Sequence, residues 1–300
     1  MDYSDLNDYM GAFEGALSER PPVSKPEIAS ILLAVDGSNQ DDTAIGLVAA
    51  FAERLQAKVH VTAGALRGLG PDEHALAERT AERLRTEHSL QAMPLMVDGK
   101  TPAKQLLAAA AAESVGLVVM PAPYLQDLED LADESLSSPV DVLLAEAKAA
   151  ILLVREPQPQ PAVCLNRLVL PLKRIASPAA AGWMLALAER GAVMEMYSFA
   201  PVQAEDSELS TERAVELLAR AGHKAAGAMI AAAQHCAQSI GAEMSFSYEE
   251  PPALPFLLKK VHAQPCLTIL SAPADRTSAD YHFVHDLTLG SRHPVLVVRD

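Results

Sequence analysis

Positive charge, aromatic rings and cysteine are all scarce in this chain, and each shortage closes off a class of function. Lys and Arg number 24 against 39 Asp and Glu, a formal net charge of −15. A phosphate backbone needs a basic face, so this balance argues against a nucleic-acid partner, and it disfavours anionic membrane surfaces. Aromatic residues make up 4% of a sequence that is half apolar, so its cores must be built from Ala, Val and Leu. Cys164, Cys236 and Cys266 are the only cysteines, and none forms a C-x-x-C pair. That pattern fits three small buried side chains in a reducing cytosol better than disulfides or zinc. Met1 to Glu19 is acidic and interrupted by glycine, without a basic stretch leading into an apolar one. No apolar run approaches the ~20 residues of a membrane span. The expectation is a soluble cytoplasmic protein with no membrane span.

What the sequence does have is a repeat. Ile31-Leu32-Leu33-Ala34-Val35-Asp36 opens one passage of strand and helix signals, and Leu168-Val169-Leu170-Pro171-Leu172-Lys173 opens another, 137 residues further on. A repeat fixes the architecture before any local assignment matters. The aligned Asp36 and Lys173 carry opposite charge, so the copies are not expected to share one chemistry. Residues 1–29 are polar with Pro21, Pro22 and Pro26, and read as an extension packing loosely on the surface. Residues 30–155 form the first unit and 166–300 the second. Residues 156–165 link them, with the alternating prolines Pro157, Pro159 and Pro161 favouring an extended, semi-rigid spacer.

Within the first unit the pattern predicts strands at Ile31–Val35, Val59–Thr62, Met93–Val97, Gly116–Met120 and Ala150–Val154. Helices are expected at Asp41–Leu55, Pro71–His88, from Thr101-Pro102 to about Ser114, and at Pro139–Lys148. The second unit repeats the order: strands at Leu168–Leu172, Val193–Ser198, Glu243–Tyr248, Cys266–Leu270 and Pro294–Val298. Its helices are expected at Pro178–Arg190, Thr211–Ser239, Leu254–His262 and near Phe283–Leu289. Short apolar strands separated by helices argue for parallel sheets covered on both faces. The fold class is therefore α/β, as two doubly wound, five-stranded units.

These residues resemble the universal stress protein family in its tandem form. The resemblance rests on Ile31–Ser38 as the opening strand and loop, and on Ile151-Leu152-Leu153-Val154-Arg155 and Pro294-Val295-Leu296-Val297-Val298-Arg299 as closing strands. Val118-Val119-Met120 is similar to the family's fourth strand, and Leu143-Leu144 to the helix before the fifth. The resemblance covers residues 30–155 and 166–300. It implies strand order 3-2-1-4-5 in a Rossmann-like unit, and an internal pseudo-dimer through the fifth strands. It also implies a site for adenosine at the carboxyl ends of strands one and four, the topological switch point. The phosphates would lie in a loop of form G-x2-G-x9-G-[ST] after strand four, where glycines let backbone N–H groups approach.

Neither copy keeps that loop. In the first, Pro121, Tyr124 and Ser137 stand at the glycine places and only the final hydroxyl, Ser138, remains. Asp127, Glu129, Asp130, Asp133 and Glu134 would repel a triphosphate. In the second, Ser271 and Ala274 replace glycines and Tyr281-His282 replace the Gly-Ser pair, while Gly290-Ser291 comes too late to serve. Ordinary ATP binding is thus expected to be lost, and a non-catalytic stress-response protein that binds a partner or small ligand is the reading. Two alternatives stay open: an adenine nucleotide held in the first unit through Asp36 and Ser138, with slow ATPase as its enzyme version, and an anionic or lipid-like ligand near Lys173 in the second; the candidate ligand contacts are Val35, Asp36, Ser138 and Lys173.

Asp36 reads equally as a ligand contact or as a cap on the following helix. His282, His285 and Asp286 could share a helix face with His262 and His293 nearby. Nothing fixes three converging ligands there, and exposed or hydrogen-bonded histidines are the plainer reading. The acidic stretch 126–134 reads as a solvated loop or a docking surface for a basic partner, ahead of a cation site. No nucleophile, acid/base pair or metal signature stands out, so no catalytic residue, metal or cofactor is expected. The internal pseudo-dimer leaves a further homodimer open.

Overall fold

Strand and helix alternate along the chain in the computed structural model, which describes residues 23–63, 72–96, 101–122, 138–172, 177–199, 224–248, 253–273, 275 and 277–299. The first half runs β1 (Ser30–Val35), α1 (Asp41–Leu55), β2 (Lys58–Ala63), α2 (Glu73–His88), β3 (Ala92–Pro94), α3 (Pro102–Ala112), β4 (Leu117–Pro121), α4 (Ser138–Glu146) and β5 (Ala150–Val154). A 3-10 turn at Pro161–Asn166 leads into the second half. There follow β6 (Arg167–Leu172), α5 (Pro178–Leu187), β7 (Val193–Ser198), α6 (Lys224–Ile240), β8 (Glu243–Tyr248), α7 (Ala253–Ala263), β9 (Leu267–Ser271), α8 (Ala279–Gly290) and β10 (Val295–Val298).

The strands form one sheet in the order β3-β2-β1-β4-β5-β10-β9-β6-β7-β8. Each half is the expected 3-2-1-4-5 arrangement, and the halves join through their fifth strands. That joint, Leu153 opposite Val295 and Ile151 opposite Val297, is antiparallel, whereas the other pairings are parallel. Antiparallel pairing is what a two-fold axis through the joint requires. Residues 155 and 299 then hold equivalent places at its two ends.

Central strands are apolar on both faces because helices cover both. Ile31, Leu33 and Val35 enter one apolar layer with Phe51 of α1 and Trp183 of α5; Leu32 and Ala34 enter the other with Leu106, Leu143, Leu257 and Val284. Both layers run through both halves. The rings of Phe51 and Trp183 lie 6.5 Å apart, and Arg54 of α1 bonds the carbonyl of Leu187 and pairs with Glu189 at 2.9 Å.

Local signals set three of the helix starts. Thr101, Ser177 and Ser278 accept hydrogen bonds from Lys104, Ala180 and Tyr281 N–H, with proline next in chain in the first two cases. The Ser278 cap starts α8 at Ala279, earlier than the expected Phe283, which places Tyr281-His282 inside its first turn. β3 is shorter than expected: its ladder ends at Pro94, as suits an edge strand. Residues 211–223 of the expected long helix lie outside the described residues.

The described end of the extension, residues 23–29, and the spacer are both more firmly attached than the sequence suggested. Val23 is buried, and a Cβ on Gly182 of α5 would lie 2.1 Å from the Ser24 carbonyl oxygen. The stretch 23–29 therefore reaches the second half before β1 begins. In the spacer, Gln158 N–H donates to Thr43 Oγ1 at 2.7 Å. Pro161 packs so closely on Gly46 of α1 that a Cβ there would meet it at 2.9 Å.

Candidate functional site

The chain leaves β1 toward β2 on one side, while β4 lies on the other, and a crevice opens at the carboxyl ends of strands where the order reverses. In the first half this crevice is bordered by residues 36–41 and by the end of β4. Val35 is fully buried, and its side chain belongs to the core. Asp36 is half-buried at the strand's end, where its Oδ1 accepts the Ser38 N–H at 2.9 Å. Gly37 follows at φ +77°, a left-handed turn that glycine makes without strain.

The next carboxylate reaches back over this turn. Asp41 Oδ1 accepts the Asp36 N–H at 3.2 Å and Oδ2 accepts the Gly37 N–H at 2.8 Å. Three successive backbone N–H groups at the helix entry, those an anionic ligand would seek, thus already bond to side chains of this chain. Burial pushes the Asp41 carboxyl up to about 6, against the pull of its two N–H donors, and the charges of Asp36 and Asp42 add to the rise. A carboxyl raised above its unfolded value favours folding below the unfolded pKa of 3.8 and loses that contribution as pH rises through about 6. Relative to Asp41→Asn, wild-type stability should therefore fall by about 2 kcal/mol between pH 4 and 6.5. Urea unfolding across that range checks this, and parallel pH profiles would refute it.

Gln40 closes the crevice from beneath. Its side chain is buried, and Nε2 lies 2.7 Å from the Ala122 carbonyl oxygen, 3.0 Å from that of Val154, and within bonding distance of that of Arg155. One amide thus clamps the ends of β4 and β5 to the start of α1. Of Ser138 only the backbone, at the start of α4, is described. Tyr124 and the acidic stretch 126–134 lie outside the described residues, as does Lys173, so of the expected ligand contacts only Val35 and Asp36 have described side chains.

In the second half the segment after β9 folds on itself. Asp275 Oδ1 accepts from Thr277 N–H and Oγ1 at 2.9 and 2.8 Å, and the Ser278 hydroxyl donates to the Asp275 carbonyl at 2.7 Å. Tyr281 is buried in the first turn of α8, where helical geometry replaces any phosphate loop.

The histidine contacts are separate ones. His285 Nδ1 lies 3.3 Å from Asp286 and its Nε2 lies 4.0 Å from Asp141 of the first half. His262 bonds the Gly290 carbonyl at 3.0 Å. Among the described residues no group of three His, Cys, Asp or Glu side chains converges as metal ligands would. Cys164 and Cys266 are buried, and burial pushes their thiols up to about 12 and about 11. Among the described residues, no helix is long and apolar enough to cross a membrane.

Sequence reasoning missed Gln40 and Asp41, whose partners lie across the turn or across the sheet. It missed two polar features elsewhere. Arg155, fully buried, donates from Nε to the Ser291 carbonyl at 3.2 Å and from Nη2 to that of Leu289 at 2.9 Å. Arg299 reaches the Leu144 carbonyl in return. The matching arginines after both closing strands were a usable signal. In β7, Glu195 takes a two-pronged bond from Arg167 at 3.1 and 2.7 Å and accepts from Tyr197 at 2.8 Å. Its first-half counterpart is His60, buried 3.5 Å from Glu113, and nothing in sequence links the two.

A doubly wound unit, duplicated and joined through its fifth strands, is the class of structure described here. No protein-family model matches the chain, and no curated protein sequence does. Solved structures do. A universal stress protein from Pseudomonas aeruginosa UCBPP-PA14 superposes at a TM-score of 0.61 with 16% identity, over 91% of this chain and 93% of that one. One from Archaeoglobus fulgidus DSM 4304 gives 0.57 with 11% identity, over 90% and 96%. The cytoplasmic domain of a prokaryotic cation chloride cotransporter gives 0.51 with 14% identity, over 90% and 95%. This chain has the universal stress protein fold in tandem form, a fold that also occurs within a transporter.

Proposed function

We propose that this chain is a stress-response protein of the universal stress type that acts by binding rather than by catalysis, and that it has given up ordinary ATP binding. The observation supporting this reading is the occupied helix entry. Asp41 and Asp36 take the N–H groups of residues 36, 37 and 38, and a phosphate would have to displace carboxylates that cannot leave. Coulomb repulsion adds to that cost, because Asp36, Asp41 and Asp42 lie within one turn. Residues 30–155 and 166–300 would be the two units, with 156–165 between them, and the cytoplasm their compartment.

The test is a thermal shift with ATP·Mg and with AMP, beside native mass spectrometry of freshly purified protein. A ligand at a hundred times its Kd stabilises by about 2.7 kcal/mol, which no melting curve would miss. The expected result is no saturable rise and no retained nucleotide. A rise of several degrees abolished by Asp36→Ala would instead establish the adenine-nucleotide reading, in which Asp36 at the end of β1 is the nucleoside contact.

A further inference from the structure

At the opposite edge of the sheet, the amino ends of the strands, lies a half-open pocket of about 720 Å³. It is bounded by the second half of α1, the residues entering β2 and β3, and Gln160 to Ala162 of the spacer. Its size falls within the range of small-ligand sites. Its floor is apolar, with Ala49, Ala52, Ala57 and Leu90, and among the described residues no Phe, Tyr or Trp lines it.

Two features set its rim apart. Lys58 and His88 both line it, and neither pairs with a carboxylate among the described residues, although acids far outnumber bases in this chain. Glu53 supplies the opposite charge on the same rim, and it too has no cation partner among the described residues.

We infer that this pocket binds a free amino acid, with its carboxylate at Lys58 and His88 and its ammonium at Glu53. The charges fit a zwitterion. A lining without Phe, Tyr or Trp disfavours a quaternary ammonium, which binds in cages of such rings, and favours an amine whose N–H groups can bond Glu53. Gln56, Ser89 and Gln91 offer amide and hydroxyl groups to the ligand's side chain. Bound there, it would touch both α1 and the spacer to the second half, stiffening the joint between them. This site is remote from the carboxyl-edge crevice, so its failure leaves the nucleotide reading untouched.

The test uses the full chain and each common amino acid in turn, read by thermal shift and then by calorimetric titration. Controls for each hit are its N-trimethylated form and its des-amino acid. The expected result is saturable binding by one or a few amino acids, absent for both controls. It should weaken by about tenfold or more in Lys58→Gln and in Glu53→Gln, whose unliganded melting points should stay near wild type because both side chains lie on the rim. No stabilising amino acid, equal binding of a control, or binding undiminished in both variants would overturn the inference.

Discussion

Arg155→Ala is expected to destabilise the protein by about 4 kcal/mol, the largest loss from any single substitution considered. Arg155 heads the fully buried side chains by volume, and truncating a side chain of that size in a core costs about 3–5 kcal/mol. The carbonyls of Leu289 and Ser291, at the end of α8, would lose their donors, at about 1–3 kcal/mol for a buried group left unmade. Opposing this is relief from burying a cation. Burial lowers the guanidinium to about 10, although Glu156 pulls the other way, and its Nη1 has no partner among the described residues. Arg155→Met separates the contributions, because it fills the space without the charge and should cost distinctly less than alanine. Denaturant unfolding of both variants checks this. A loss below about 1 kcal/mol for alanine would show that the guanidinium barely repays its burial. Since Arg155 follows a first-half strand and caps a second-half helix, its loss should also weaken the joint that Arg299 mirrors.

Gln40→Glu should be nearly as damaging, and with a pH signature. The amide Nε2 faces the carbonyl oxygens of Ala122, Val154 and Arg155. A carboxylate would point negative oxygens at three dipole ends of the same sign, out of water. The variant carboxyl would then hold its proton to abnormally high pH, so its stability should decline as pH rises through neutrality, by about 3 kcal/mol or more in all. Gln40→Leu removes the donor without adding charge. The Val154 carbonyl still accepts from Ala122 N–H, so two carbonyls are stranded, at about 2–4 kcal/mol and without the pH slope. Two variants with identical pH profiles would refute the clamp.

The fold was legible because it rests on short-range signals and on repetition. The expected bounds of α1, β5, β7 and β8 match the structure, since each is an unbroken apolar or amphipathic stretch with turns on either side. The Ser278 cap was there to read and moved the start of α8. The site was less legible. Asp36 was singled out by its place after β1, but the carboxylate that consumes the neighbouring N–H groups belongs to Asp41, which in sequence reads only as an acid in a helix's first turn.

By itself the sequence determined the duplication and the α/β class, which follow from apolar periodicity and from strands written twice. The strand order and the pairing through fifth strands came as what the resemblance to the universal stress protein family implies. Only the tertiary structure decided that Gln40 would clamp two strand ends more than eighty residues away. It alone set Arg155 and Arg299 as caps on helices of opposite halves, and gathered Glu53, Lys58 and His88 around one pocket. The reason is physical. Periodicity tells a side chain which way to face, whereas a hydrogen bond or a charge pair depends on what folding sets opposite it.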